Sequence, residues 1–139
     1  MRNDKENVIV DKTIHFSLSV IQYCEALEQK KKYVIANQLL RSGTSIGANV
    51  FEAQNAESKA DFIHKMKVAA KEASETLYWL ILCERSDSYE FDNRLKSELE
   101  EIIRILSKII ASSKSSFKNF IWLIGFAFSN FQMAKFSNF

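Results

Sequence analysis

The sequence predicts an all-α protein, an antiparallel up-down four-helix bundle with short loops, and three observations carry that prediction. Its 139 residues contain no Pro and only three Gly, at 43, 47 and 125, so almost nothing in the first 116 residues interrupts helix. Four successive segments place apolar residues at alternating spacings of three and four, the mark of one buried helical face. The links between them are short, and short links make neighbouring helices run in opposite directions. A chain of this length closes one hydrophobic core.

The first helix is expected from Asp11 to about Gln29, on Phe16, Val20, Tyr23 and Leu27. Lys30, Lys31 and Lys32 follow it, where cations oppose the negative end of the helix dipole. The second helix, from about Tyr33 to Ala56, buries Ala36, Leu39, Gly43, Ile46, Val50 and Ala53. Its middle is small: Ser42, Gly43, Thr44, Ser45, Gly47 and Ala48 lower helix propensity, by about 1 kcal/mol for each Gly, and must be compensated by close packing of another backbone. The third helix has the longest unbroken repeat, Phe62, Met66, Ala69, Ala73, Thr76, Leu80 and Cys83. Ser58 is placed to cap it, with Asp61 three residues on at the positive end of the dipole. After a turn at Arg85–Tyr89, Phe91, Leu95, Leu99, Ile102, Leu106 and Ile109 define the fourth helix.

These segments make a bundle domain over residues 1–116. Residues 117–139 form an atypical tail holding seven of the eleven Phe and the phrase FSNF twice, at 128–131 and 136–139. Its longest apolar stretch, Phe120 to Phe128, is nine residues, short of the ~20 a membrane-spanning helix needs. The N-terminus mixes charge signs and lacks an apolar segment of signal-peptide length. Cys24 and Cys83 stand far apart without metal-ligand spacing, which fits buried, reduced thiols in a cytoplasm.

The net charge of +2 supplies no bulk attraction to nucleic acid, so any such binding must come from local clustering. Catalysis finds little support. Di-iron bundles use Glu-x-x-His on two helices, and this chain offers only Asp61-x-x-His64, so no metal or other cofactor is expected. Bundle-type ribonucleases of the higher-eukaryote-and-prokaryote nucleotide-binding class place Arg four to six residues before a His. Here positions 58–60 before His64 are Ser, Lys and Ala, and no Arg lies nearer upstream of His15 than Arg2. A non-enzymatic binding protein is the expectation.

Two polar sets stand out. Val68, Glu72, Glu75, Trp79 and Leu82 share a stripe beside the third helix's core seam, while Asn49 and Glu52 flank the small-residue seam of the second. Carboxylates beside Trp and Val require partners, and Arg41, Asn49 and Lys71 are available. A polar lock that sets helix register or subunit pairing is preferred over acid–base chemistry. Opposite the seam, His64, Lys67, Lys71, Ser74 and Tyr78 line one face of the third helix. There lysines can meet phosphates and Tyr78 can stack on a base. A solvated helix face has the same composition, and Lys71 can pair with Glu75 one turn on, so composition alone favours the solvated face over a binding one. Trp79 and Leu82, outside the main seam, together with the small-residue strip, point to a homo-oligomer.

The strings QLLRSGTSIGANVFEAQNAESKADF, residues 38–62, and KVAAKEASETLYWL, residues 67–80, closely resemble the four helix bundle protein family also called the 23S rRNA intervening-sequence proteins. The likeness runs from about Asp11 to Ser116. It is similar as well to the accessory protein of diversity-generating retroelements, a pentameric bundle that associates with nucleic acid and reverse transcriptase. The resemblance implies a bacterial, cytoplasmic homo-oligomer, a pentamer, with an RNA or nucleoprotein partner and no established catalytic role. It also marks Arg41, Ser42, Ser45, Asn49, Glu52, Lys71, Glu72, Glu75 and Trp79 as the family's polar and aromatic set. The alternative is an adaptor that binds only protein. The tail departs from the family pattern, as an added interaction segment or as reading frame never selected as protein.

Overall fold

The computed structural model describes the backbone of residues 7–136 and the side chains of residues 7–115. Four helices follow one another: α1 (Val8–Gln29), α2 (Tyr33–Ala53), α3 (Lys59–Arg85) and α4 (Asn93–Phe136). Each packs on its neighbours in sequence and α1 also meets α4, so α1 and α3 stand at opposite corners of the bundle. The α2–α3 contact is the most extensive and the α1–α4 contact the least.

The buried residues follow the predicted seams. Phe16, Val20 and Leu27 of α1, the whole α2 set, Met66 to Cys83 of α3 and Leu95 to Leu106 of α4 close one core. Tyr23, Phe62, Phe91 and Ile109 are half-buried at its edges. Both cysteines are buried, as expected, and unpaired. Helix α1 begins a turn earlier than its periodicity suggested, adding Ile9 and Thr13 to the core. Thr13 reads as polar in the sequence, yet its hydroxyl donates to the Ile9 carbonyl at 2.8 Å, which satisfies it inside an apolar face. Helix α2 ends at Ala53, short of the expected Ala56, where the chain must reverse toward α3.

The ends of the helices are capped locally. Ser58 Oγ accepts the Asp61 N–H at 3.0 Å, and the Asp61 carboxylate accepts the Glu57 N–H at 3.1 Å, so the acid at the start of α3 secures the incoming strand of chain. Asp92 accepts the Arg94 N–H at 2.9 Å at the start of α4. The lysine triplet does more than oppose the α1 dipole. Lys30 pairs with Glu90, and the Lys32 ammonium sits 4.9 Å from the Tyr89 ring centroid, so both tie the α1–α2 turn to the α3–α4 turn.

The two glycines of α2 face α1 of the same chain. A Cβ on Gly43 would stand 2.9 Å from Val20 Cγ1, and one on Gly47 3.2 Å from Ser17 Oγ. Both glycines of the strip expected to admit a neighbouring subunit are therefore packed against the bundle's own first helix. The periodic part of the fourth helix continues helically to Phe136, and the Phe-rich composition of 117–139 lies outside the residues whose side chains are described.

Candidate functional site

The α2–α3 seam gathers part of the predicted polar set. Arg41 pairs with Glu75 and stands 3.5 Å from Glu72 Oε2, while Trp79 Nε1 donates to Glu75 Oε1 at 3.4 Å. Glu72 Oε2 is buried without a hydrogen bond, and the guanidinium supplies its counter-charge. Arg41 is half-exposed, so the net attraction is modest. Removing it would nonetheless strand a largely buried carboxylate, which costs more than the pair contributes. One turn inward, Thr76 Oγ1 donates to Ser42 Oγ at 2.9 Å, and Ser42 Oγ donates to the Gln38 carbonyl at 2.9 Å. Both hydroxyls are buried and join α2 to α3 through the core.

The other members of the set are placed differently. Glu52 pairs with Lys65 at 3.3 Å near the far end of the seam. Ser45 and Asn49 donate to the carbonyls of Arg41 and Ser45, at 2.6 and 2.8 Å, and so bond their own helix. Neither Asn49 nor Lys71 is a partner of the carboxylates. Helix periodicity puts Lys71 beside Glu75, but Arg41 reaches Glu75 across the interhelical seam, so the i, i+4 pair does not form.

His64, Lys67, Lys71 and Tyr78 are all exposed on the outward face of α3, as is Ser74. Lys67 and Lys71 make no hydrogen bond or ion pair among the described residues. Tyr78 lies edge-on to Trp79 with ring centroids 5.2 Å apart, which steadies an exposed ring without covering its outer face.

One surface escaped the sequence reading. Ile14, Leu18 and Ile21 of α1 are 48%, 56% and 37% exposed, and Phe51 of α2 is 56% exposed across a groove floored by Gly47 and Ala48. The signal was present, since 14, 18 and 21 form a second apolar repeat beside the core repeat of the same helix.

No group of three or more His, Cys, Asp or Glu side chains converges as a metal site among the described residues. Burial pushes the Cys24 thiol up to about 12, with a further push from Glu28, and burial also raises Cys83. Neither is a thiolate at neutral pH, and the thiolate is the reactive form. Among the described residues no helix is long and apolar enough to cross a membrane.

No curated protein matches the chain. A crystal structure from Bacteroides thetaiotaomicron VPI-5482, of a protein with unknown function from the S23 ribosomal protein family, shares 40% identity with it. That match covers 73% of this chain and 97% of the other, with a TM-score of 0.70. The family model for the 23S rRNA-intervening sequence protein matches residues 5–108, a span that holds the polar seam, both sequence strings and the periodic segments up to Leu106. The chain belongs to the 23S rRNA-intervening sequence protein family.

Proposed function

We propose that this protein is a non-enzymatic, self-associating helical scaffold of the cytoplasm that binds RNA or a nucleoprotein complex through the outward face of α3. The observation that carries the reading is the pair Lys67 and Lys71, one turn apart, exposed and without counter-ions among the described residues, between His64 and Tyr78. Exposed cations without a partner among the described residues are groups that can release counter-ions on meeting phosphate. Arg41, which could have joined them, is committed to Glu72 and Glu75 and serves the α2–α3 seam. The family's link to ribosomal RNA is consistent with that partner class, and its resemblance to a pentameric bundle makes five copies the leading stoichiometry. His15 and His64 are exposed on α1 and α3, helices at opposite corners of the bundle.

The test is binding of a labelled large-subunit rRNA fragment, with an unrelated RNA of equal length beside it, over a series of salt concentrations. Lys67→Glu is expected to weaken binding and to flatten the slope of log affinity against log salt by about 0.7 to 0.9. An unchanged slope in a correctly assembled variant would remove this face from the site. Failure of the wild-type chain to bind either RNA at low salt would favour the protein-binding adaptor instead.

A further inference from the structure

Charge on α3 is sorted by direction. Its four carboxylates are all engaged: Asp61 accepts the Glu57 N–H, Glu72 and Glu75 face Arg41, and Glu84 pairs with Lys96 at 2.6 Å. Lys67, Lys71 and Arg85 make no ion pair or side-chain hydrogen bond among the described residues. Those three cations fall on one outward stripe with Ser74, Tyr78 and Leu82, at spacings of three and four, and every member is exposed. The stripe thus carries cations, an aromatic ring and an aliphatic side chain, and no acid.

We propose that this stripe takes an unpaired RNA strand, with a base stacked on Tyr78, phosphates held by Lys67 and Lys71 on one side of the ring, and a phosphate held by Arg85 on the other. Tyr78 is 53% exposed, and its edge contact with Trp79 leaves the outer face of the ring open to a base. Trp79 is itself half-buried and donates through Nε1 to Glu75, so the ring stands on the α2–α3 seam. Leu82, 38% exposed one turn beyond Tyr78, offers apolar surface to the same base or its neighbour. From Lys67 to Arg85 the helix rises about 27 Å at ~1.5 Å per residue, room for the run of about 4 nucleotides that the smallest single-strand sites take. An A-form duplex keeps its bases stacked on one another and its major groove too deep and narrow for side chains to read. A duplex can meet the lysines, but its base faces cannot meet the ring.

The inference rests on the RNA-binding reading and specifies the form of RNA that the face takes. It adds Arg85 as a phosphate contact. It also gives the polar seam a second consequence, because Arg41 holds Glu75, Glu75 holds Trp79, and Trp79 steadies the ring that meets the base.

The experiment presents the full chain with an oligouridine strand carrying one 2-aminopurine, and with the same strand annealed to its complement. The unpaired strand is expected to bind about tenfold more tightly than the duplex, and its 2-aminopurine emission to be quenched on binding, as stacking on an aromatic ring requires. Tyr78→Leu is expected to lose the quenching and about tenfold in affinity while keeping the salt slope, since its phosphate contacts remain. Tyr78→Phe keeps the ring and is expected to behave as wild type, and Arg85→Gln to flatten the slope by about 0.7. Each variant is compared at wild-type mass and helix content. Equal affinity for strand and duplex, binding without quenching, or quenching that survives Tyr78→Leu would overturn the proposal. If any of these occurs while Lys67→Glu still flattens the slope, the unpaired-strand inference fails alone. If wild type binds neither form at low salt, the RNA-binding reading fails and this inference with it.

Discussion

Lys31 turns the chain between α1 and α2 with a φ of 61°. The surrounding hydrogen bonds explain why. The Lys32 N–H reaches the Leu27 carbonyl at 2.9 Å and the Lys31 N–H reaches Glu28 at 2.8 Å, which closes a Schellman motif whose left-handed position usually holds Gly. A side chain there costs about 1 to 2 kcal/mol in the folded state, while Gly adds back about 0.5 to 1 kcal/mol of unfolded-chain entropy. Lys31→Gly is therefore expected to stabilise the protein by up to about 1 kcal/mol, measured by urea unfolding with an unchanged m value. The neighbouring lysines could not be substituted so freely, because Lys30 and Lys32 hold the opposite turn.

At the scale of the helices, α1 and α2 approach closely because α2 omits side chains where Val20 stands. The sequence showed that α2 wanted a close neighbour; it did not show which helix that was. Gly43→Ala gains about 1 kcal/mol of helix propensity but forces a methyl to 2.9 Å from the buried, branched Val20. Overpacking of that kind costs about 1 to 3 kcal/mol, so the variant is expected to be less stable than wild type. Gly47→Ala meets Ser17 and the Thr13 carbonyl at 3.2 and 3.3 Å, a milder crowding, and is expected to melt closer to wild type. A higher melting temperature for Gly43→Ala would show that Val20 yields and that the seam is looser than its distances state.

Across the whole molecule, the core residues run from Ile9 to Leu106, with Ile109 and Ile110 packed at its edge. Among the described residues, all four helices contribute to this one core. Removal of residues 117–139 is accordingly expected to leave a cooperative thermal transition and the helical content of the bundle intact. Loss of cooperativity on truncation would make the C-terminal part of α4 a member of the core and would move the domain boundary. The α1–α4 seam is the least extensive of the four. Lys12 pairs with Glu101 across its rim at 2.9 Å, and His15 Nδ1 stands 3.6 Å from Glu98 Oε2, contacts that depend on where α4 sits beside α1 and not on any one helix's pattern.

What the sequence by itself determined was local and periodic. The spacing of apolar residues identified which face of each helix is buried, Ser58 and Asp61 marked where α3 begins, and the strings at 38–62 and 67–80 carried the family. Only the tertiary structure decided how those faces are shared. A helix period says that Glu75 lies one turn from Lys71, but the choice of Arg41 depends on where α2 sits beside α3. The outward stripes of α1 and α3 were readable one at a time, while their placement at opposite corners came from the order in which four helices pack. The physical reason is range: a 3.6-residue repeat fixes the direction of a side chain about its own axis, and nothing in it specifies which neighbouring axis that side chain will meet.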